Sequence, residues 1–289
     1  MISFTEAAYY YCENLTKSNY ENFPVASYFV PKNKRKYIFS IYAFARTADN
    51  IADSIYLKPA DKMEKLEFME DLLLNFGDYD DTLDMHFRNI FVALHDTINL
   101  LNLRNDDLLN LLKAFKQDAV KNRYDKYEDI LNYSDNSANP VGRLVLRVFD
   151  YDYEKDKNLY KFSDYICSAL QLTNFWQDIS VDLKMNRVYI PIEIMDKYGY
   201  SLDDLYLKVE NDKFRKVMKD LVDRTEQMFL NGRELTDHLK GRLRMEIKAT
   251  VQGGMKILDL IKDSNYKVLS SRVKLSKIDK IKIMTTSVF

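Results

Sequence analysis

Turn-forming residues are scarce in this sequence. Its 289 residues include 7 Gly and 5 Pro, and long stretches pass without the Gly, Pro, Asn and Ser clusters that punctuate sheet proteins every ten residues or so. That scarcity argues against a sandwich or barrel and for an all-α fold. An excess of charge of either sign is also absent: 43 Lys and Arg nearly cancel 44 Asp and Glu. There is then no global field to gather nucleic acid, no nucleic-acid partner is expected, and any anion has to be bound locally. The two cysteines, Cys12 and Cys167, lie far apart, and the opening Met1-Ile2-Ser3-Phe4-Thr5-Glu6 has neither a basic n-region nor an apolar h-region. A reduced, cytoplasmic chain is expected. No apolar run approaches the roughly 18 residues of a membrane span, which leaves a peripheral contact at the inner membrane as the kind of membrane association to expect. P-loop, G-x-G-x-x-G and zinc patterns are missing, so no nicotinamide site is expected. His86, His95 and His238 have no metal-ligand spacing.

What is present is apolar surface in quantity. With 46% hydrophobic and 13% aromatic residues, the chain can bury a large core in one domain or in two closely joined ones, and a single domain over 1–289 is the preferred expectation. Helical periodicity predicts helices from Arg35 to Ser54, from Asp61 to Phe76 with Gly77 as C-cap, over 83–101, over 106–120, from Asn139 to Phe149, and a long central one from Lys157 to Leu183. Two more follow over 211–239 and 241–263, then a Lys-rich segment; Arg187 to Pro191 reads as an extended loop.

Two of these helices carry unusual lines of polar residues. Asp49 and Asp53 are four apart and so project from one helix face, which Arg46 and Tyr42 continue among Ala43, Phe44, Ala45, Ala48, Ile51 and Ala52. The central helix repeats the pattern with Gln171, Asn174, Asp178 and Asp182 among Leu170, Leu172, Phe175, Trp176, Ile179 and Val181. One Asp-x-x-x-Asp pair is ordinarily a solvated face. Two such pairs on apolar helices, each extended by an aligned polar line, point to a site, because ionised carboxylates near an apolar core need compensating positive charge. Magnesium suits them: it takes hard oxygen ligands, keeps several waters and is shared between a few carboxylates and substrate phosphates. The ligand so implied is a phosphate or diphosphate, with Arg46 and Arg187 as nearby cations.

With these residues in hand, the chain resembles the squalene and phytoene synthase family over nearly its whole length. The matching segments are Tyr42-Ala43-Phe44-Ala45-Arg46-Thr47-Ala48-Asp49-Asn50-Ile51-Ala52-Asp53, Gln171-Leu172-Thr173-Asn174-Phe175-Trp176-Gln177-Asp178-Ile179-Ser180-Val181-Asp182, and Asn186-Arg187-Val188-Tyr189-Ile190-Pro191. Asn139-Pro140-Val141-Gly142-Arg143 is similar to the family's tunnel-lining segment. The resemblance implies an isoprenoid-synthase-type helical bundle around a central apolar tunnel, with Mg²⁺ held by Asp49, Asp53, Asp178 and Asp182. It implies that Tyr42, Arg46, Gln171, Asn174, Arg187, Tyr189 and Arg272 position or neutralise an isoprenoid diphosphate.

Two departures refine the resemblance. Members that condense two prenyl diphosphates typically show a His-Ser-x-Ser-Phe-like stretch near the N-terminus and an Arg before the first Asp of the second motif. Here the corresponding residues are Asn19-Tyr20-Glu21-Asn22-Phe23, running on to Ser27, and Gln177. Asn22, Ser27 and Gln177 are then the candidate substrate contacts at those places. Both departures resemble the bacterial hydroxysqualene synthases, which receive presqualene diphosphate, and a site for one diphosphate needs fewer cations than a site for two. The resemblance then implies Mg-dependent ionisation of presqualene diphosphate with water capture, an upstream presqualene diphosphate synthase and a downstream oxidoreductase. The alternatives are head-to-head condensation of two farnesyl or geranylgeranyl diphosphates, and an inactive helical interaction protein. Chain-elongating enzymes and terpene cyclases use Asp-Asp-rich first motifs, and neither pair here has a doubled Asp. From Asn265 onward, lysines alternate with Val, Leu, Ile and Met; this pattern fits either an interfacial helix touching lipid or a final helix packed on the bundle with its lysines solvated.

Overall fold

The fold was obtained as a computed structural model, which describes residues 3–18, 30–78 and 83–288. Among these residues all regular structure is helical, apart from one isolated parallel bridge between Arg123 and Val188. The chain separates into two compact units, 1–121 with 140–157, and 122–139 with 158–289.

The first unit contains α1 (Phe4–Ser18), α2 (Lys32–Ala52), α3 (Pro59–Asn75), α4 (Met85–Leu101), α5 (Asn105–Asp118) and α7 (Asn139–Val148). Its core is built on α2, whose Ile38, Phe39, Ile41, Ala43, Phe44, Ala48 and Ile51 are buried with Phe91 and Leu94 of α4 and Leu108, Leu111 and Leu112 of α5. Buried hydroxyls are chained where α1, α2 and α4 meet: Tyr9 Oη donates to Asp96 Oδ2 (2.8 Å) and lies 2.9 Å from Thr97 Oγ1, which is 2.8 Å from Ser40 Oγ. Such pairing removes the cost of burying polar atoms. Asn102, with φ 49°, closes α4 in the left-handed conformation. Gly77 does not act as the expected C-cap. It sits within a 3₁₀ turn, Phe76–Asp78, with no positive φ, so the helix tightens instead of reversing.

The second unit contains α6 (Tyr127–Ser137), α8 (Lys157–Asp182), α9 (Ile192–Lys197), α10 (Leu202–Tyr206), α11 (Asp212–Gly232), α12 (Leu235–His238), α13 (Gly241–Asp263) and α14 (Lys277–Val288). The 26-residue α8 is its axis, burying Ile166, Ala169, Leu172, Phe175 and Trp176. Trp176 is fully buried, and its indole N–H donates to Thr225 Oγ1 on α11 at 2.8 Å. The single helix expected over 211–239 is broken after Gly232. A Cβ at Gly232 would lie 2.7 Å from Ile166 Cγ1 and 2.8 Å from the Phe162 carbonyl oxygen, so α11 meets α8 there almost backbone to backbone.

Candidate active site

On α2, the burial of Ala43, Phe44, Thr47, Ala48, Ile51 and Ala52 leaves Tyr42, Arg46 and Asp49 half-buried and Asp53 exposed. Arg46 Nη1 donates to Asp49 Oδ2 at 2.7 Å, while Arg46 Nε is buried without a hydrogen-bond partner among the described residues. Burial raises the Tyr42 hydroxyl above its ordinary range, with Arg46 pulling it down and Asp49 pushing it up. These three side chains therefore lie within electrostatic reach of one another. Asp53 stands at the C-cap, one residue earlier than the predicted helix end. Its backbone N–H donates to the Asp49 carbonyl oxygen at 2.9 Å, which keeps the two carboxylates one turn apart.

On α8, the polar line takes the less buried side: Gln171, Asp178 and Asp182 are half-buried and Asn174 is exposed, while Leu172, Thr173, Phe175 and Trp176 are buried. The Asp182 carboxyl is pushed up to about 7. Burial is the largest cause and the charge of Asp178 adds to it, against the pull of Arg187 and Arg272. A carboxylate that resists ionisation with two arginines nearby is one that still lacks positive charge.

Two segments meet this pair, one directly after α8 and one about ninety residues on. After α8 a 3₁₀ turn, Leu183–Met185, ends at Asn186 with φ 56°, and the Arg187 N–H donates to the Asp182 carbonyl oxygen at 2.9 Å, turning Arg187 back toward the acids. The predicted extended loop is present; the Val188 N–H donates to the Asn122 carbonyl oxygen at 2.9 Å. Tyr189 stacks on Phe175, with centroids 3.7 Å apart and planes at 9°, beside Tyr124 and Tyr133. The second segment follows α13. Glu210 Oε1 accepts the N–H groups of Leu269 and Ser270 at 2.8 and 3.2 Å, anchoring a strap whose Val268 and Leu269 are buried. Arg272 Nη2 on this strap donates to Asp178 Oδ2 at 2.8 Å, and Arg272 Nε pairs with Asp178 Oδ1.

Gln177 is placed differently from the rest. It is buried, and its side-chain amide donates to the Val273 carbonyl oxygen at 2.7 Å, so it fastens the strap rather than facing the acid line. The structure thus gathers Asp178, Asp182, Arg187 and Arg272 on the second unit, and Tyr42, Arg46, Asp49 and Asp53 on α2. Asn22 and Ser27 lie outside the described residues. Sequence reading missed Glu210 and the Val273 carbonyl, because nothing local pairs residues 59 and 96 positions apart.

A divalent cation fits the α8 pair on this electrostatic ground, since Asp182 is held back from ionising by burial and by Asp178. Among the described residues no three His, Cys, Asp or Glu side chains gather as a ready ligand set.

An all-helical chain with acid pairs on apolar helices and arginines beside them matches the squalene/phytoene synthase model over residues 16–279, and the chain belongs to that family of isoprenoid-biosynthesis enzymes. Hydroxysqualene synthase of Rhodopseudomonas palustris is 33% identical over 261 residues, covering 90% of this chain and 85% of its own. That of Sinorhizobium fredii is 31% identical with the same coverage. The crystal structure of a squalene synthase from Alicyclobacillus acidocaldarius superposes with a TM-score of 0.82 at 35% identity, covering 91% of this chain and 95% of the other. The expected all-α, isoprenoid-synthase-type fold holds.

Proposed function

We propose that the protein ionises presqualene diphosphate in the presence of Mg²⁺ and adds water to the rearranged cation, releasing hydroxysqualene and diphosphate. The observation that carries the chemistry is the half-buried Asp178–Asp182 pair, short of positive charge, with Arg187 and Arg272 close by. The choice of substrate is supported by the hydroxysqualene synthases at 33% and 31% identity over 90% of the chain.

In this reading Asp178 and Asp182 hold magnesium, and Asp49 and Asp53 do the same from α2. Bound magnesium supplies charge that offsets the negative charge developing on the departing diphosphate. Arg187 and Arg272 bind its oxygens, for which Arg272 leaves its place on Asp178. The carbon–oxygen bond breaks with its electron pair going to diphosphate, water oxygen bonds to the rearranged carbocation, and the extra proton passes to solvent. No electrons are gained or lost, so no nicotinamide is consumed. Gln171 and Asn174 are the amides along the acid line that can orient the water, since the Gln177 amide is held by Val273.

The Alicyclobacillus relative is called a squalene synthase, which supports head-to-head condensation as the second reading. Product analysis after separate incubation with farnesyl, geranylgeranyl and presqualene diphosphates, each with Mg²⁺ in ¹⁸O-water, separates the two. The expected result is labelled alcohol from presqualene diphosphate alone. Joining of two farnesyl diphosphates, with presqualene diphosphate left untouched, replaces the proposal with the second reading.

A further inference from the structure

Helix α14 is docked with its polar side inward. Ser287 is buried, Asp279 and Ile283 are half-buried, and Thr286 and Ser287 donate to Gln252 Oε1 of α13 at 2.9 and 3.1 Å. Its start is fixed by Asp279 Oδ2, which accepts from the Ser276 N–H at 2.9 Å. Apart from the half-buried Ile283, three apolar residues point the other way: Ile278, Ile281 and Met284 are 66%, 62% and 60% exposed. A terminal helix that only completed a bundle would bury these three side chains and leave its polar side to water. The reverse arrangement leaves an apolar stripe without a covering element among the described residues of the second unit.

Charge indicates what covers it. At 100° per residue the stripe spans about 120° of the helix, and Lys280 and Lys282 flank it, one on each side, about 40° beyond its edges. Lys277, the first residue of α14, falls within the angular range of the stripe at its N-terminal end, and Lys274 lies just before the helix; both are exposed. From 267 to 288 the chain carries Lys267, Arg272, Lys274, Lys277, Lys280 and Lys282 against the single acid Asp279, in a protein whose overall formal charge is −1. A basic rim around an apolar stripe complements an anionic bilayer, whose headgroups meet the lysines while the acyl boundary takes the apolar side chains. Among the described residues no helix is long and apolar enough to cross a membrane, and the contact argued for is one lying in the interface.

We propose that the outer face of α14, centred on Ile281, docks on the surface of anionic phospholipid bilayers. The test is cosedimentation of the full chain with vesicles of phosphatidylcholine alone and of phosphatidylcholine mixed with phosphatidylglycerol. Ile281→Ser/Met284→Ser and Lys280→Glu/Lys282→Glu are compared with the unaltered chain. All four positions are exposed, and circular dichroism melts confirm that the variants fold. The expected result is pelleting with the mixed vesicles, weakened by salt and reduced at least about tenfold by either double substitution, since each cation near an anionic surface is worth roughly a five-fold change. Three outcomes overturn the proposal. One is no pelleting of the unaltered chain with mixed vesicles. Another is equal pelleting by it and the variants, which places lipid contact elsewhere. The third is a concentration-dependent dimer that Ile281→Ser/Met284→Ser abolishes while vesicles are ignored, which makes a second copy the occupant. None of these readouts depends on the proposed reaction.

Discussion

Burial and the neighbouring Asp178 hold the Asp182 carboxyl near 7, whereas an aspartate in the unfolded chain ionises near 4. Between those values the native state binds the extra proton, so stability falls as pH rises from about 4 to about 7 and levels off above. The metal-free protein should lose on the order of 1–2 kcal/mol over that window, less than the full shift implies because solvent screens a half-buried group. Asp182→Asn should flatten this part of the profile, as urea melts at pH 5 and pH 7.5 would reveal; identical slopes in the two proteins would rule out this account of Asp182. Asp178→Asn removes the other charge at nearly constant volume and loosens the pair with Arg272. It should fold normally and lose at least about 100-fold in turnover at saturating Mg²⁺, the scale of losing one charge-stabilising group. Full turnover by a folded Asp178→Asn protein would remove the residue from the site. Each aspartate pair was legible in the sequence because i,i+4 spacing on an apolar helix gives its two carboxylates a common direction. Gln177 was not, because its direction is about 100° off that line, and its partner Val273 can be found only in three dimensions.

Helices α2 and α8 match their predicted spans to within three residues at each end, since both have unbroken apolar periodicity and flanking prolines or polar turns. The break after Gly232 has no such signal: it comes from contact with α8, where Ile166 Cγ1 and the Phe162 carbonyl leave no room for a side chain. A carbonyl in a helix cannot move aside as a flexible side chain can. Gly232→Ala should therefore destabilise the protein by roughly 1–3 kcal/mol, despite the better helix propensity of alanine, and a thermal melt unchanged from that of the parent would contradict the close approach. The strap from 266 to 273 is a second element fixed by tertiary bonds. Gln177→Leu deletes the amide that holds Val273 while keeping most of the volume buried on α8. Its expected signature is faster hydrogen exchange at Leu269 and Ser270, whose N–H groups are held by Glu210, with protection of α11 unchanged. Protection of the strap equal to that of the parent would show that Glu210 alone suffices.

At the scale of the whole molecule, composition disclosed the helical class because few turn formers leave few other solutions, yet it did not decide between one core and two closely joined ones. Both units are helical and draw on the same mixture of apolar and charged residues, so no linker or composition shift marks their boundary. The near balance of charge bears on the proposed function: with no general attraction for anions, the proposed prenyl diphosphate would have to be recognised through the local arginines and the proposed metal. That dependence separates an enzyme from a helical interaction protein that merely retains the fold. A non-reactive prenyl diphosphate analogue at about 100 times its Kd adds roughly 2.7 kcal/mol to stability, which for a chain of this size raises the apparent Tm by roughly 5 °C. The shift should require Mg²⁺ and analogue together, because the Asp178–Asp182 pair repels the diphosphate until a cation offsets its charge, and it should be largely lost in Asp178→Asn. An equal shift without Mg²⁺ would show that Arg187 and Arg272 bind the anion unaided, and no shift under any condition would favour the interaction protein.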